Sequence, residues 1–544
     1  MKLRRKLWNP NLLVFLSSAC IMVIELVASR LIAPRVGVSL YTWTSVIGVI
    51  LAGISLGNYI GGRLADWRAS MTMLGTVFSL ASLSTLAILW LNNDLHDFQL
   101  SFDAPFMLWI VLYIAAVFLL PAVILGCISP IVVKLSLTDL ERTGRTVGKI
   151  YAWSTAGSIV GTFATGFFLV SHFGTKTTIL GVAGLLLILG LWFVSAVSWP
   201  RALLRILVIG GLFAFGVFQL YQGGFLYTEC MRESNYFCIN VREADEEGRQ
   251  VKELVLDRLV HSYSDVDDPT FLSYGYEQIY GQIIDTLAEE DPGLDAFFIG
   301  GGGYTFPRYM EATLPESDIV VAEIDPEVTE VAYQHLGLDE DTDMEIFDMD
   351  ARNYLSREAE PDSFDVVFGD AFNDFSVPYH LTTLECNRLI DRVLREDGLY
   401  MANIIDGGPY GHFFRAFVGT LQRVFPHIVV IPSSPSWQQD VRTTFVVLAS
   451  HHPVDLSAVS GDYAPLSEEE LRAYMQREPY VLLTDDYVPV DNLMAPVVDA
   501  SFRGTAVDQD IAARIEERVL VVAIGAVLVL ASGLGWGVYR WRFA

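Results

Sequence analysis

The chain has 544 residues, of which 52% are hydrophobic and 18% charged, and its formal net charge is −28. A mean hydropathy of +0.39 is too apolar for an ordinary soluble protein, whereas so negative a charge is unusual for a protein embedded wholly in a membrane. The two observations are compatible because basic and acidic residues are concentrated in different parts of the chain. Residues 1–222 and 519–544 hold 17 Lys and Arg against 7 Asp and Glu, whereas residues 223–518 hold 19 against 57. So acidic a segment repels phosphates, which excludes nucleic acid as a partner.

Apolar stretches in the two basic segments are long enough to cross a bilayer about 30 Å thick. They lie at 11–33, 41–61, 71–91, 105–133, 147–171, 177–198, 202–221 and 519–538. The first stretch is too long for a cleaved signal peptide, and more spans follow it. We therefore predict a multi-pass α-helical membrane region of seven helices over 1–222, a soluble region, and a C-terminal transmembrane helix over 518–544. The lipid bilayer is then an expected partner.

The distribution of Lys and Arg predicts the orientation in the membrane. One predicted side collects fourteen of them, from Lys2 through Arg68 and Lys149 to Arg542, and the other side holds few. The termini are then cytoplasmic and the 223–518 region extracytoplasmic. Cys230 and Cys238 flank a predicted hairpin and are disulfide candidates, which an oxidising compartment would favour. The alternative is two unpaired thiols.

Two ionisable residues, Glu25 and Arg30, fall within the first predicted span. Charge inside a membrane is costly and often functional. The plainer interpretation is a buried structural ion pair near the end of the helix. Both interpretations stay open at this point.

Beyond the helices, short apolar strands alternate with helical stretches from Asp295 onward. This alternation predicts an α/β Rossmann-like domain with a doubly wound, mostly parallel sheet over 271–517. Residues 223–270 form a predicted small β subdomain before it. Ligands of such sheets bind at the carboxyl ends of the strands. Candidate functional residues are therefore expected directly after each strand.

A glycine run, Gly300, Gly301, Gly302 and Gly303, follows the strand AFFI directly. Glycines there let the backbone turn tightly and approach a ligand closely. Glu323 ends the next strand, at a distance typical of an acid that accepts both ribose hydroxyls of a nucleoside. The run lacks the lysine of a phosphate-binding loop, so an adenosyl ligand without phosphates is favoured over NAD.

Acidic residues follow the next two strands as well. Asp350 could accept a hydrogen bond from an adenine amino group. Asp370, with Asp374 and Pro378 after it, could take a proton from an amine nucleophile while the second acid holds the amine chain. For each acid taken singly, a helix N-cap or a solvated loop is an equally good explanation. Four acids at successive strand ends make that explanation weaker.

The successive blocks LVLDRLVHS, YEQ, GGGG, VVAEID, DMDA and GDAFND with Pro378 resemble those of the spermidine/spermine synthase (polyamine aminopropyltransferase) family. The segments ELVASR, GGRLAD and KIYAWSTAGSIVGT resemble bacterial fusions of transporter-like helices with such a domain. The resemblance implies a fold like that of S-adenosylmethionine methyltransferases. It implies transfer of an aminopropyl group from decarboxylated S-adenosylmethionine to a small-molecule amine, without a metal, at a bacterial inner membrane. A homodimer is a further expectation.

The family's site residues carry over to matching positions of this sequence. By that resemblance Glu323 binds the ribose, Asp350 and Ala351 bind the adenine, and Asp370 is the catalytic base. The resemblance also assigns the nucleoside side to Gly300, Gly301, Gly302 and Pro378, and the amine side to Asp374, Tyr276, Glu277 and His261.

The sequence departs from the family's pattern at three places. The usual GGGDG run has Gly303 in place of its aspartate and Tyr304 after it, Phe237 replaces a glutamine, and the acids of the aspartate block are spaced DxxxD. These departures leave two alternatives open. One is an S-adenosylmethionine-dependent methyltransferase. The other is a transporter or sensor whose soluble domain binds a nucleoside without catalysis.

Overall fold

The structure is a computed structural model. It describes residues 9–95, 106–137, 140–194, 199–226, 230–246, 248–371, 377–408, 411–457, 459–476 and 481–504. The predicted C-terminal helix at 518–544 and the candidate residue Asp374 lie outside the described residues.

Long apolar helices make up the first part of the chain. They are α1 (Pro10–Val36), α2 (Leu40–Arg68), α3 (Met71–Asp94), α4 (Phe106–Ile114), α5 (Leu120–Gly126), α6 (Ile128–Ser136), α7 (Thr143–Ala164), α8 (Val170–Val194) and α9 (Trp199–Gln222). π-helical turns at Ala115–Leu119 and Thr165–Leu169 join α4 to α5 and α7 to α8. Within the described ranges, six continuous helical segments are long and apolar enough to cross a membrane.

One of those segments, Thr143–Phe193, is 51 residues long and is not straight. Gly174 leaves the helical region with φ 72° and ψ 173°, between the two spans that the sequence predicts at 147–171 and 177–198. A residue other than glycine would be strained at this positive φ. The segment is therefore divided into two arms at that residue.

Small residues let the helices pack closely. A Cβ added at Gly57 of α2 would lie 2.2 Å from the carbonyl oxygen of Val123, and one at Gly157 of α7 would lie 2.1 Å from that of Phe15 in α1. Such contact brings helix backbones together where no side chain fits. It fixes α1 against α7, which positions the domain-facing end of α1.

A small sheet of four antiparallel strands follows the helices, in the order β1 (Arg232–Glu233), β2 (Cys238–Glu246), β3 (Arg249–Leu256) and β4 (Leu259–Ser264). A disulfide joins Cys230 to Cys238, the first residue of β2, and closes the loop between them. Arg30 of α1 donates to the backbone carbonyls of Ser234 and Asn235 in that loop. The loop therefore rests on the end of the first helix.

The described residues that follow contain the predicted α/β fold, and its mostly parallel sheet is confirmed. Strands β5 (Ala296–Ile299), β6 (Ile319–Glu323), β7 (Glu345–Asp348), β8 (Phe364–Gly369) and β9 (Leu394–Asp406) are parallel, and β11 (Thr443–Ser450) and β10 (His427–Pro432) add two antiparallel strands. The order across the sheet is β10-β11-β9-β8-β5-β6-β7. From β5 the chain adds β6 and β7 on one side and then β8 and β9 on the other, so the strand order switches between β5 and β8, where such folds bind ligands.

Helices cover this sheet and carry some of the site residues. They are α10 (Gly275–Glu290), α11 (Thr305–Thr313), α12 (Pro326–His335), α13 (Ala351–Arg357), α14 (Leu384–Val393), α15 (Phe413–Leu421), α16 (Glu468–Met475) and α17 (Val490–Gly504). The central strand β5 is buried along its whole length. Its apolar side chains anchor the sheet, so the loop that follows it starts from a fixed point.

Candidate functional site

Two cavities meet at the carboxyl ends of β5, β6 and β8. The larger one has a volume of about 180 Å³ and is lined by Glu323, Asp350, Ala351 and Pro378 among others. The smaller one, of about 40 Å³, is lined by tyrosines and acids. Gly300, Gly302, His261 and Asp370 line both. Asp370 therefore lies where a group in one cavity can reach a group in the other.

Glu323 connects the glycine loop to the end of β6. Its Oε2 accepts hydrogen bonds from the backbone N–H groups of Gly301 and Gly302, at 2.8 and 3.2 Å, and its Oε1 accepts from that of Asp325 at 3.0 Å. Burial raises the pKa of Glu323 and these three donors oppose the shift. Oε2 already accepts two of these bonds and Oε1 only one, so Oε1 can accept one further hydrogen bond from a hydroxyl in the cavity.

Gly300 cannot carry a side chain. Its φ is 97°, and a Cβ there would lie 2.9 Å from the backbone oxygen of Asp370. The loop after β5 therefore passes against the end of β8 with backbone contact. This close approach brings the glycine loop, Glu323 and Asp370 around one space.

Asp350 serves two contacts at once. It is the N-cap of α13, where its Oδ1 accepts from the N–H of Asn353 at 3.1 Å, and its Oδ2 lies 2.6 Å from Nε2 of His380. Burial raises the pKa of Asp350, but the hydrogen bond and charge of His380 outweigh it and the net pKa is lowered. The helix-cap explanation offered by the sequence is thus correct for Asp350, although the residue also lines the larger cavity.

Two side chains hold the Asp370 carboxylate from opposite sides. The hydroxyl of Tyr276 donates to Oδ2 at 3.0 Å, and Nδ2 of Asn403 donates to Oδ1 at 2.9 Å. Burial raises the pKa of Asp370, and the two donors act against this shift. Burial and the nearby Asp370 charge raise the pKa of Tyr276, so that phenol stays protonated and remains a donor. The carboxylate is therefore oriented by two donors in a residue that lines both cavities.

The smaller cavity combines aromatic rings with a buried acid. Tyr276 and Tyr280 line it with ring centroids 5.6 Å apart, and Glu277 is only 2% exposed. Burial, with the charge of Asp370 as a second cause, raises the pKa of Glu277 to about 8. Aromatic faces and carboxylates both attract ammonium groups. This lining is suited to a cationic amine.

The departure from the family's glycine run has a steric counterpart. A Cβ on Gly303 would lie 1.8 Å from Oγ of Ser262, so Ser262 takes the space that a side chain at position 303 would need. Among the described residues, that buried hydroxyl has no hydrogen-bond partner. Tyr304 follows with φ 55° and turns its ring inward, where its hydroxyl lies 2.7 Å from Oγ1 of Thr329. Neither Ser262 nor Tyr304 supplies a carboxylate to the part of the cavity beside Gly303.

The structure brings nearly all of the predicted site residues together. Every one that it describes lines one of the two cavities, apart from Cys230 and Cys238, which lie at the junction with the helices. Three further residues, His380, Asn403 and Ser262, were missed. Asn403 lies in the strand GLYMANI near its carboxyl end, so the strand-end rule could have found it, whereas the contacts of His380 and Ser262 depend on distant parts of the chain. No group of three potential metal ligands occurs within the described ranges.

We predict that Glu277→Gln changes how stability depends on pH. A buried acid with a pKa of about 8 holds a proton in the folded state that the unfolded chain releases above about pH 4.5. Folding stability of the parent protein should therefore fall as pH rises from 4.5 to 8, at up to about 1.4 kcal/mol per pH unit from this group. The neutral amide removes that pH-dependent contribution. In thermal unfolding, the Tm of the variant minus the Tm of the parent protein should therefore increase as pH rises over this range.

The matched control is Glu289→Gln, an exposed acid on the same helix. Its Tm should run parallel to that of the parent protein across the same range. A Glu277→Gln curve that is also parallel would mean that Glu277 is ionised when folded.

Comparisons with known proteins find polyamine aminopropyltransferases among proteins of similar sequence. No protein-family model matches it. Its sequence is 28% identical over 149 residues to a probable polyamine aminopropyl transferase of Bifidobacterium longum, which covers 27% of this chain and 32% of that protein. It is 28% identical over 195 residues to the polyamine aminopropyltransferase of Chromobacterium violaceum, covering 35% of this chain and 71% of that protein. The chain thus spans about a third of the length of the first relative.

The solved structures that match include spermidine synthases and a human methyltransferase-like protein. A probable spermidine synthase from Corynebacterium glutamicum matches with a TM-score of 0.41 and 20% identity, over 47% of this chain and 98% of that one. Spermidine synthase from Thermotoga maritima matches with a TM-score of 0.31 and 16% identity, over 46% and 82%. The chain is thus similar in sequence to polyamine aminopropyltransferases over part of its length.

Proposed function

We propose that the protein transfers an aminopropyl group from decarboxylated S-adenosylmethionine to an amine. The observation that carries this proposal is the position of Asp370, which lines both cavities. One is the larger cavity, called the nucleoside-sized cavity from here on, and the other is the smaller cavity lined by Tyr276, Tyr280 and Glu277. Such a transfer needs a base within reach of both an adenosyl sulfonium and an amine. Asp370 meets that geometric requirement.

The proposed reaction is a direct displacement. Asp370 accepts a proton from the acceptor's ammonium or attacking amine, and the nitrogen lone pair forms a bond to the aminopropyl carbon next to the sulfonium. The carbon–sulfur bond breaks, its electrons neutralise the sulfonium, and methylthioadenosine leaves. Tyr276 and Asn403 keep the carboxylate pointed at the reacting nitrogen through their hydrogen bonds. Holding reactants in one orientation is itself a large part of such catalysis.

A methyltransferase is the second candidate. It is favoured by the side of the smaller cavity formed by Ser262 and Gly303, which we call the Ser262–Gly303 wall. That wall offers a hydroxyl where the related family has a carboxylate, so a cation at the end of the donor chain has one fewer charged partner here. A donor with intact S-adenosylmethionine would place a carboxylate in the same region. The products separate the two reactions: methylthioadenosine for aminopropyl transfer and S-adenosylhomocysteine for methyl transfer.

Asp370→Asn should abolish turnover without abolishing binding. Losing a general base costs on the order of 10²–10⁴ in rate, whereas the amide still accepts the hydrogen bond of Tyr276. We expect product formation with decarboxylated S-adenosylmethionine and a diamine to fall by that factor in the purified full chain. Calorimetric affinity for methylthioadenosine should stay within about threefold, a change of less than 1 kcal/mol. Unchanged turnover would remove Asp370 from the mechanism, and turnover of neither sulfonium by the parent protein would favour a binding-only domain.

Glu323→Gln should weaken nucleoside binding. Hydrogen bonds to a charged group contribute roughly 1.5–3 kcal/mol, so the dissociation constant for methylthioadenosine should rise by about 10- to 100-fold in calorimetry. The control is Glu327→Gln, since Glu327 lies four residues on, pairs with Arg232 at 2.7 Å and does not line the larger cavity. Equal affinity in both variants would show that Glu323 does not hold the ribose.

We also propose that the helices span a bacterial cell membrane with the α/β domain on the extracytoplasmic side. The one-sided distribution of Lys and Arg supports this orientation. The Cys230–Cys238 disulfide supports it independently, because such bonds persist in oxidising compartments.

Cysteine labelling in intact cells tests the orientation. Asp462→Cys introduces a thiol at an exposed turn of the α/β domain, and Arg68→Cys introduces one at the exposed end of α2. The described native free cysteines, Cys20, Cys127 and Cys386, are buried and give a low background. A membrane-impermeant maleimide should label the first variant and spare the second until the cells are lysed. The opposite pattern would reverse the orientation.

A further inference from the structure

The largest described cavity lies between the helices and the small sheet, away from the proposed catalytic site. Its volume is about 390 Å³. On one side it is lined by helix residues, among them Leu26 and Leu31 of α1 and Val170 of α8. On the other side it is lined by the loop that the disulfide closes. The π-helical turn Thr165–Leu169 borders it through Thr165 and Gly166, and π-turns are frequent at functional sites. We call this space the junction cavity.

Charged groups in the junction cavity are ordered by element. The two cations, Arg30 and Lys176, come from the helices, and the two carboxylates, Glu233 and Asp257, come from the domain. Each is fixed by protein contacts: Arg30 donates to loop carbonyls, and Glu233 accepts from the N–H and hydroxyl of Thr175 at 2.8 and 3.0 Å. The lining therefore combines apolar and cationic groups from the helices with anionic groups from the domain.

Asp257 is the carboxylate with most to gain from an added cation. It has a left-handed backbone, φ 55°, and its Oδ1 accepts from the N–H of Cys238 at 3.0 Å. Burial raises the pKa of Asp257, against the opposing effects of that hydrogen bond and of the Arg30 charge. A positive group entering the cavity would offset the burial cost of the ionised form.

The same hairpin end separates the junction cavity from the proposed catalytic site. Phe237 and Leu256 line the nucleoside-sized cavity, whereas the adjoining residues Cys238 and Asp257 line the junction cavity. Cys238 and Asp257 also exchange backbone contact, since the N–H of Asp257 donates to the carbonyl of Cys238 at 2.9 Å. A ligand that contacts Cys238 or Asp257 in the junction cavity therefore contacts the same hairpin end that lines the nucleoside-sized cavity.

We propose that the junction cavity binds the headgroup of a zwitterionic phospholipid, with its phosphate near Arg30 and Lys176 and its cationic nitrogen near Glu233 and Asp257. A phospholipid carries hydrocarbon, a phosphate and a cationic nitrogen, and the lining offers apolar, cationic and anionic groups to match them. The cavity also lies at the domain-facing ends of helices that we propose to span a membrane, at the depth of lipid headgroups. The inference rests on that membrane placement and is independent of the aminopropyl transfer.

Native mass spectrometry of the detergent-purified full chain tests the proposal without any sulfonium donor. Phosphatidylethanolamine and phosphatidylglycerol are added separately, because both carry the phosphate and only the first carries the nitrogen. We expect phosphatidylethanolamine to be retained with about tenfold or higher preference, which corresponds to 1.4 kcal/mol or more. Equal retention, or preference for phosphatidylglycerol, would overturn the proposal. Displacement of the lipid by free phosphoethanolamine at equal concentration would overturn the assignment to a lipid.

Two matched pairs of variants locate the site. A Cβ on Gly166 meets no atom within 4 Å, so Gly166→Leu fills the cavity without a clash, and Gly181→Leu places the same side chain at an equally open position of α8 outside the lining. Asp257→Asn keeps the Cys238 hydrogen bond and removes the charge. Its control is Asp362→Asn, an exposed residue with the same φ of 55°.

We expect Gly166→Leu to lose the bound phosphatidylethanolamine and Asp257→Asn to lose its preference over phosphatidylglycerol. Both controls should behave as the parent protein, and the Tm of each variant checks that it is folded. Retention of lipid preference in folded Gly166→Leu and Asp257→Asn would overturn the proposal. Methylthioadenosine affinity, measured separately, tells a failure here from a failure of the proposed catalytic function.

Discussion

The carboxylate of Glu323 is the contact on which the proposed site depends. It accepts from three backbone N–H groups and so fixes the loop after β5 to the end of β6. Carboxylate-to-amide bonds are charge-assisted and stronger than neutral ones. With the carboxylate removed, the amides of Gly301 and Gly302 would lose their acceptor in a buried place. Glu323 is therefore both a wall of the nucleoside-sized cavity and the reason that this wall has its shape.

Asp370 depends on that arrangement because the glycine loop passes directly against it. The contact between Gly300 and the backbone of Asp370 allows no side chain, so loop and strand end share one position. Tyr276 reaches the carboxylate from α10 and Asn403 from β9, which means that two separate elements converge on one side chain. The chemistry that we propose requires this convergence, since a base must be oriented as well as present.

Local patterns in the sequence were sufficient to predict the strands and the edge of the sheet where the site lies. Apolar runs and the acids after them place Glu323, Asp350 and Asp370 without knowledge of the fold, because period and strand ends are local properties. The partners of these acids are not local. The pairing of Asp350 with His380 spans 30 residues, and the steric match of Ser262 to Gly303 joins a hairpin to a distant loop. Only the folded chain shows that the missing aspartate is accompanied by a serine that fills its place.

The end of the hairpin separates two unlike environments, since Phe237 and Leu256 line one cavity and the adjoining Cys238 and Asp257 line the other. Neighbouring side chains on a strand face opposite sides, so a shift of one residue exchanges the faces. In this hairpin such a shift would turn Cys238 toward the nucleoside-sized cavity and Phe237 toward the helices. It would also move Cys238 away from the position in which it forms its disulfide with Cys230. Substitutions here can be absorbed one at a time, whereas a one-residue insertion or deletion disturbs both compartments together, so the length of this segment should vary less among relatives than its composition does.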